Sequence, residues 1–241
     1  PKVMATVDGE YKKVFGWETD ACGEEYPAFL KELIPQLISK LEELGVADCT
    51  VFHISDEPGS DMLESYNSAK NTVKECLKGQ IIMDALSDYS FYEKGVVEHP
   101  AVSTDHIDAY IDAGVKDLWA YYCCCQVNGV SNRMVAMPTS RNRIIGQQFF
   151  KYDIAGFLQW GFNFYNCVLS IKPINPYLVT DADGAFPAGD PFIVYPGENG
   201  EPLESLRYMA LRQAFHDLRA LQLLETLAGR ETVEAIIAEG L

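Results

Sequence analysis

Short apolar runs recur along this chain, and a segment with helical spacing follows most of them; this alternation constrains the fold more than any other feature. Parallel strands need a crossover of a dozen or more residues, and an amphipathic helix supplies one. Val3 to Val7 and Lys13 to Trp17 read as two short strands around a turn at Asp8-Gly9. From Glu25 to Leu44, Phe29, Leu30, Leu33, Ile34, Leu37, Leu41 and Leu44 recur on a helical period, and Gly45 supplies a C-terminal cap. Cys49 to Ile54 is a short apolar strand broken by Ser55-Asp56-Glu57-Pro58-Gly59. Ser60 is expected to cap a second helix running to about Leu77, before a strand at Ile81 to Met83 that Asp84 follows.

The pattern then repeats more faintly. Val96 and Val97 read as a brief strand, Asp105 to Ala113 as a short helix and Lys116 to Cys123 as an aromatic strand. Arg141 to Tyr152 reads as a helix, Gly156 to Phe162 as a buried strand, Leu203 to Leu227 as a long helix and Arg230 to Glu239 as a closing one. One β/α unit precedes the strand that carries the acids, and several follow it. The expected fold class is therefore α/β, a TIM-barrel-like (β/α) architecture lacking its first two units in this chain. Residues 203–241 form a C-terminal helical portion of that single domain. An open doubly wound sheet is the alternative, but no Gly-x-Gly-x-x-Gly fingerprint or P-loop accompanies it.

Charge narrows the partners. With 19 Lys and Arg against 35 Asp and Glu, the formal net charge is -16, which repels nucleic acid and anionic membrane surfaces. No apolar stretch approaches the roughly 20 residues that cross a bilayer, and the first residues, PKVMATVDGEYKK, do not read as a signal peptide. The seven cysteines are odd in number, and Cys123, Cys124 and Cys125 are consecutive, so free buried thiols are expected rather than a disulfide framework. Thiols leave the compartment open, including a periplasmic or secreted one. Asp181-Ala182-Asp183-Gly184 lacks the register of a calcium loop and reads as an exposed turn.

The best candidates for chemistry are Asp56 and Glu57. In parallel α/β folds the C-terminal ends of strands form the active-site face, and the apolar run Val51 to Ile54 delivers both acids there. If the strand continued through them, their side chains would point in opposed directions, so they would serve different parts of one substrate. The competing reading is a wet turn that caps the next helix. His53, inside the strand, is expected in the core, and Asp84, at the next strand end, is either on the same face or in a turn. Trp119 and Tyr121 share one strand face, as do Trp160 and Phe162. A sugar ring has an apolar C–H face and a hydroxyl rim, which an aromatic platform with nearby polar groups suits. Arg141, Arg143, Asn163, Tyr165 and Asn166 are the polar candidates, each competing with ordinary loop or helix hydrogen bonding.

Three segments carry a resemblance: HISDEPG at 53–59, RNRIIGQQFFKYDIAGFLQWGFNFYN at 141–166, and DPFIVYPGENG at 190–200 continuing through LESLRYMALRQAFHDLRALQLL at 203–224. In this order they resemble the glycoside hydrolase family that contains exo-acting β-N-acetylgalactosaminidases and many uncharacterised bacterial relatives. The resemblance implies a β/α barrel behind an N-terminal β-rich domain, of which this chain is the later barrel portion. It implies Glu57 as general acid/base and Asp56 as the residue that orients and stabilises the substrate's acetamido group. Trp119, Tyr121, Arg141, Trp160 and Asn163 are carried as substrate-binding candidates, with a carbohydrate as partner and no metal or organic cofactor. A carbohydrate-binding module without catalysis, and a related glycosidase of other sugar specificity, are the alternatives.

Overall fold

The computed structural model describes residues 3–240, which divide into two compact units between Pro100 and Ala101. In the first unit, β1 (Val3–Val7) and β2 (Glu10–Phe15) form an antiparallel hairpin with Val7 opposite Glu10. Asp8 and Gly9 both have positive φ (53° and 82°), as a two-residue hairpin turn of matching twist requires. The second strand therefore starts at Glu10, three residues before the expected Lys13, while Gly16 and Trp17 already turn away.

Helix α1 (Glu25–Glu43) follows, burying Ile34 and Ile38. It ends in a Schellman arrangement: the N–H of Gly45 donates to Glu42 O and that of Val46 to Leu41 O, with Gly45 at φ 71°. The next strand, β3 (Val51–Phe52), is shorter than the expected Cys49 to Ile54, because Ala47–Cys49 is a single 3-10 turn. Ser60 does not cap the following helix. It begins a 3-10 turn, Ser60–Met62, that runs into α2 (Leu63–Lys74). Strand β4 (Ile81–Leu86) pairs parallel with β3, Val51 opposite Ile81 and Phe52 opposite Ile82.

Ile34, Ile38 and Val73 make one core, with Phe52, Leu77 and Ile82 packed against it. Each such side chain contributes roughly 1.5–3 kcal/mol when fully buried. A second cluster joins Tyr66, Leu86, Phe91, Val96 and Val97 beyond the short helix α3 (Ser90–Glu93). Val96 and Val97 are thus core residues of a loop, not the expected strand. The strand is β5 (His99–Ser103), a few residues later.

In the second unit, Ala101, Val102 and Ser103 of β5 pair parallel with β6 (Trp119–Tyr121), which pairs parallel with β7 (Gly156–Leu158). Helix α4 (Asp108–Asp112) connects β5 to β6. Between β6 and β7 the expected single helix is split into α5 (Ser140–Arg143) and α6 (Ile145–Lys151). Strand β7 stops at Leu158 rather than Phe162; beyond it Gly161 turns with φ 64°, where an added Cβ would stand only 2.3 Å from Asp190 O. The long segment beyond it returns through the hairpin β8 (Val194–Pro196) and β9 (Pro202–Glu204). Leu203, expected in a helix, lies in β9. Helix α7 (Leu206–Ala228) begins only at Leu206, where the Ser205 hydroxyl accepts the Tyr208 N–H at 3.2 Å. Helix α8 (Arg230–Gly240) packs Val233 and Ile237 against Phe150.

Strand, helix and parallel strand thus repeat in both units, the arrangement of part of a (β/α) barrel. All seven cysteines are free, but only Cys167 is buried. The expectation of buried thiols fails at Cys123 to Cys125, because β6 ends at Tyr121 and the chain turns, the Cys123 N–H donating to Gln126 Oε1 at 2.8 Å. Among the described residues no helix is long and apolar enough to cross a membrane.

Candidate active site

One buried carboxylate shapes the acid-bearing loop of the first unit. Phe52 packs into the helix-side core, so the alternation of the strand sends Val51 and His53 to the opposite face. Pairing with β4 then stops, because Asp84 Oδ1 takes the next two backbone donors: the N–H of Ile54 at 2.7 Å and that of Ser55 at 3.1 Å. The Tyr66 hydroxyl donates to Asp84 Oδ2, and His53 Nδ1 lies 2.7 Å from Oδ1. Asp84 is fully buried and satisfied by these partners, neither at a turn nor open to solvent.

The backbone rejoins β4 at Glu57, whose N–H donates to Ala85 O at 2.9 Å. Glu57 has φ 46°, a left-handed conformation uncommon outside glycine, while Pro58 is buried and pins the far side of the bend. Asp56 and Glu57 are both exposed on this bend. The strand does not run through the acids, so the simple up-and-down alternation does not govern them. His53 is half-exposed rather than in the core, and its hydrogen bond to Asp84 holds its imidazole above the usual range, with the Asp84 and Asp56 charges acting in the same direction against burial.

The aromatic candidates belong to the second unit. Ala120 is buried behind β6, and Tyr122 and Phe157 meet at 4.9 Å on that side, beside Phe149 of α6 and Phe215 of α7. Trp119 and Tyr121 therefore take the face away from these helices. The indole of Trp119 lies over Gly156, where an added Cβ would meet the ring at 2.3 Å. Tyr121 is buried. Trp160 lies beyond the end of β7, 37% exposed, with Phe186 edge-on at 5.0 Å and Phe164 at 5.9 Å. Phe162 does not share a strand face with Trp160; it packs edge-on against Tyr208 at 6.2 Å.

Asn163 is exposed and forms an antiparallel bridge with Phe192. Arg141 is spent on backbone, its Nε donating to Val130 O at 3.0 Å and its Nη2 to Val127 O at 3.1 Å. Arg143 pairs with Asp217 at 2.7 Å on the surface. The Tyr165 hydroxyl donates to Val194 O at 2.8 Å, and Asn166 bridges Pro173.

Sequence reasoning missed a buried ionic group in this unit. The Arg133 side chain has no solvent exposure and donates to Tyr122 O (3.0 Å), Trp160 O (2.8 Å) and Asp190 O (2.9 Å). It also pairs with Asp190 Oδ1 at 3.2 Å and lies 5.2 Å from the Tyr122 ring centroid. Burial pushes the Asp190 carboxyl up to about 6, against the pull of Arg133 and Arg207. Arg133 thereby ties the end of β6 to the carbonyl of Trp160. The available signal was a lone arginine between Asn132 and Met134, which looked like one more polar loop residue. Among the described residues, no group of three or more His, Cys, Asp or Glu side chains is placed to hold a metal ion.

Parallel strands alternating with helices define the chain as part of a (β/α) barrel, and two adjacent carboxylates lie on the loop after one of its strands. Its sequence matches the family described as glycoside hydrolase 123, catalytic domain, over residues 1–224, and the chain belongs to that family. A solved structure of a family 123 glycoside hydrolase from Clostridium perfringens, studied for glycolipid glycan hydrolysis, is similar with a TM-score of 0.69 at 17% identity. The likeness covers 94% of this chain and 40% of that one, so this chain spans well under half of that relative's length. No curated protein matches the sequence.

Proposed function

We propose that the complete protein hydrolyses a terminal β-linked N-acetylhexosamine, preferably N-acetylgalactosamine, with retention of configuration and assistance from the substrate's acetamido group. The observation that carries this reading is the exposed Asp56-Glu57 pair on a constrained bend after β3, in a chain of glycoside hydrolase family 123. The glycolipid glycan hydrolysis attributed to the Clostridium perfringens relative supports the substrate class. In the remaining part of the protein we place the other barrel units and a β-rich domain.

Glu57, protonated, donates to the glycosidic oxygen as the bond to the anomeric carbon breaks, so the leaving group departs as an alcohol. The acetamido oxygen attacks the anomeric carbon from the other side. Asp56 accepts the acetamido N–H and stabilises the positive charge of the resulting oxazolinium. Glu57, now a carboxylate, removes a proton from water as the water attacks and reopens that ring. The nucleophile belongs to the substrate, which departs from the usual scheme of two enzyme carboxylates. We assign substrate binding to Trp119, Tyr121, Arg141, Trp160 and Asn163. The part-exposed indoles favour the two tryptophans; the backbone bonds of Arg141 make it the weakest member.

The test compares the complete protein with Glu57→Gln and Asp56→Asn on N-acetylgalactosaminide, N-acetylglucosaminide and unmodified galactoside, recording product configuration. Loss of a general acid typically costs 10²–10⁴-fold, and Glu57→Gln should fall in that range. Asp56→Asn should impair the acetamido-assisted step. Equal turnover of the unmodified galactoside, or unaltered turnover by Glu57→Gln, would defeat the reading.

A further inference from the structure

We infer that His53 is a substrate-contacting residue beside the acid pair, presented by Asp84 as its positioning residue. The inference rests on the proposed glycosidase reading for the identity of the ligand, a sugar hydroxyl or ring substituent, and on the geometry of the first unit for everything else.

His53 begins the loop that carries Asp56 and Glu57, on the face of β3 opposite the Phe52 core. Its Nδ1 lies 2.7 Å from Asp84 Oδ1, and Asp84 is fully buried. A carboxylate at one ring nitrogen fixes both ring orientation and tautomer, directing the other nitrogen outward as a donor. The His53 side chain keeps half of its surface exposed, which leaves the ring open to a ligand.

Asp84 cannot swing away with the ring. The same oxygen that meets His53 holds the N–H groups of Ile54 and Ser55, and the other oxygen holds the Tyr66 hydroxyl of α2. One carboxylate therefore sets two things together: the direction of the imidazole and the path of the loop that presents the acids. A donor that meets a ligand must be held to within a fraction of an ångström, and the buried Asp84 carboxylate holds the ring in this way. The charged groups that act on His53 are Asp84 and Asp56, and both favour the imidazolium, a stronger donor to a hydroxyl oxygen than neutral imidazole.

The test uses the complete protein. In His53→Asn the side-chain amide takes the place of Nδ1 and keeps the Asp84 contact, but nothing replaces Nε2. In His53→Gln an amide nitrogen reaches the place of Nε2. We expect KM to rise roughly tenfold in the asparagine variant, the loss of about one hydrogen bond, with partial recovery in the glutamine variant and unfolding midpoints close to the original. Unchanged KM in His53→Asn would overturn the inference. Binding is followed separately from turnover by the ¹⁵N resonances of His53 during titration with N-acetylgalactosamine. A perturbed Nε2 resonance supports the contact even in a preparation that hydrolyses nothing, in which case the proposed reaction alone fails; an unperturbed one at saturating sugar overturns it. Asp84→Asn retains an acceptor for the two backbone donors. It should lower the His53 pKa and loosen its tautomer, and an imidazole that titrates as before would remove Asp84 from its positioning role.

Discussion

At Asp190 the protein keeps a carboxylate in the interior whose oxygens meet an arginine at 3.2 Å without forming a well-directed hydrogen bond. Burial outweighs the attraction of Arg133 and Arg207, so the folded pKa of about 6 exceeds the ordinary aspartate value of 3.8. The folded chain then binds this proton more tightly than the unfolded chain does. Its contribution to stability is fully present below about pH 4 and is lost as the pH rises through about 6. Most carboxylates give the opposite trend, so the comparison is with Asp190→Asn. Denaturant unfolding at pH 4 and pH 7 should show that the variant loses less stability on raising the pH than the original does. Arg133 is the more damaging residue to remove. Arg133→Met strands Asp190 and deprives three backbone carbonyls of their donor, and we expect a loss of roughly 3–5 kcal/mol. Trp160 emission should shift to the red as its carbonyl anchor goes, measurable by fluorescence against denaturant midpoint.

Among the elements, β6 with β7 and α6 with α7 are joined by close approaches that leave no room for a side chain. A Cβ on Gly156 would stand 2.3 Å from the Trp119 indole, and one on Gly146 in α6 would stand 1.9 Å from Ala214 O in α7. The two sites should respond differently. Gly146→Ala meets rigid backbone and should cost more than the 1–3 kcal/mol usual for overpacking, visible as a lowered Tm. Gly156→Ala meets a side chain that can rotate, so its Tm should fall less while kcat/KM on an N-acetylhexosaminide drops; the reverse order would argue against Trp119 as a sugar-binding residue. These contacts also explain what was legible in the sequence. The period of α1 and its glycine cap are local, and both stood out from the residues alone. Strand ends are not local. The chain leaves β3 at Phe52 because a carboxylate from β4 captures its next donors, and beyond the end of β7 at Leu158 the turn at Gly161 lies close against the backbone of Asp190. Val96 and Val97 misled for a related reason: adjacent valines suit a strand, but here both fill the core around Tyr66 and Phe91. For the candidate site, the place of Asp56 and Glu57 after a strand was readable, whereas the bend at Glu57 and the roles of Asp84 and Arg133 depend on partners distant in sequence.

For the molecule as a whole, charge and exposed apolar surface oppose each other. Among the described residues β3 and β7 each have a strand on one side only, and Val51 of β3 is 50% exposed. Such edges invite pairing between copies, while a net charge of -16 keeps copies apart at low ionic strength. Residues 1–241 produced alone should therefore self-associate increasingly as salt shortens the Debye length from about 10 Å at 0.1 M towards 3 Å at 1 M. Sedimentation velocity would show this, and a single monomeric species at every salt concentration would contradict it. The ladder of β5, β6 and β7 has one more consequence, for how such a sequence can drift. Trp119 and Tyr121 keep to one face and Ala120 to the other only because Trp119 stays opposite Gly156 and Ala101. A change of side-chain size in β6 is local and can be absorbed, but one inserted residue would turn over every position after it, sending Tyr121 toward the helices and Tyr122 away from Asn142. This strand can vary in its letters; it cannot vary in its spelling length.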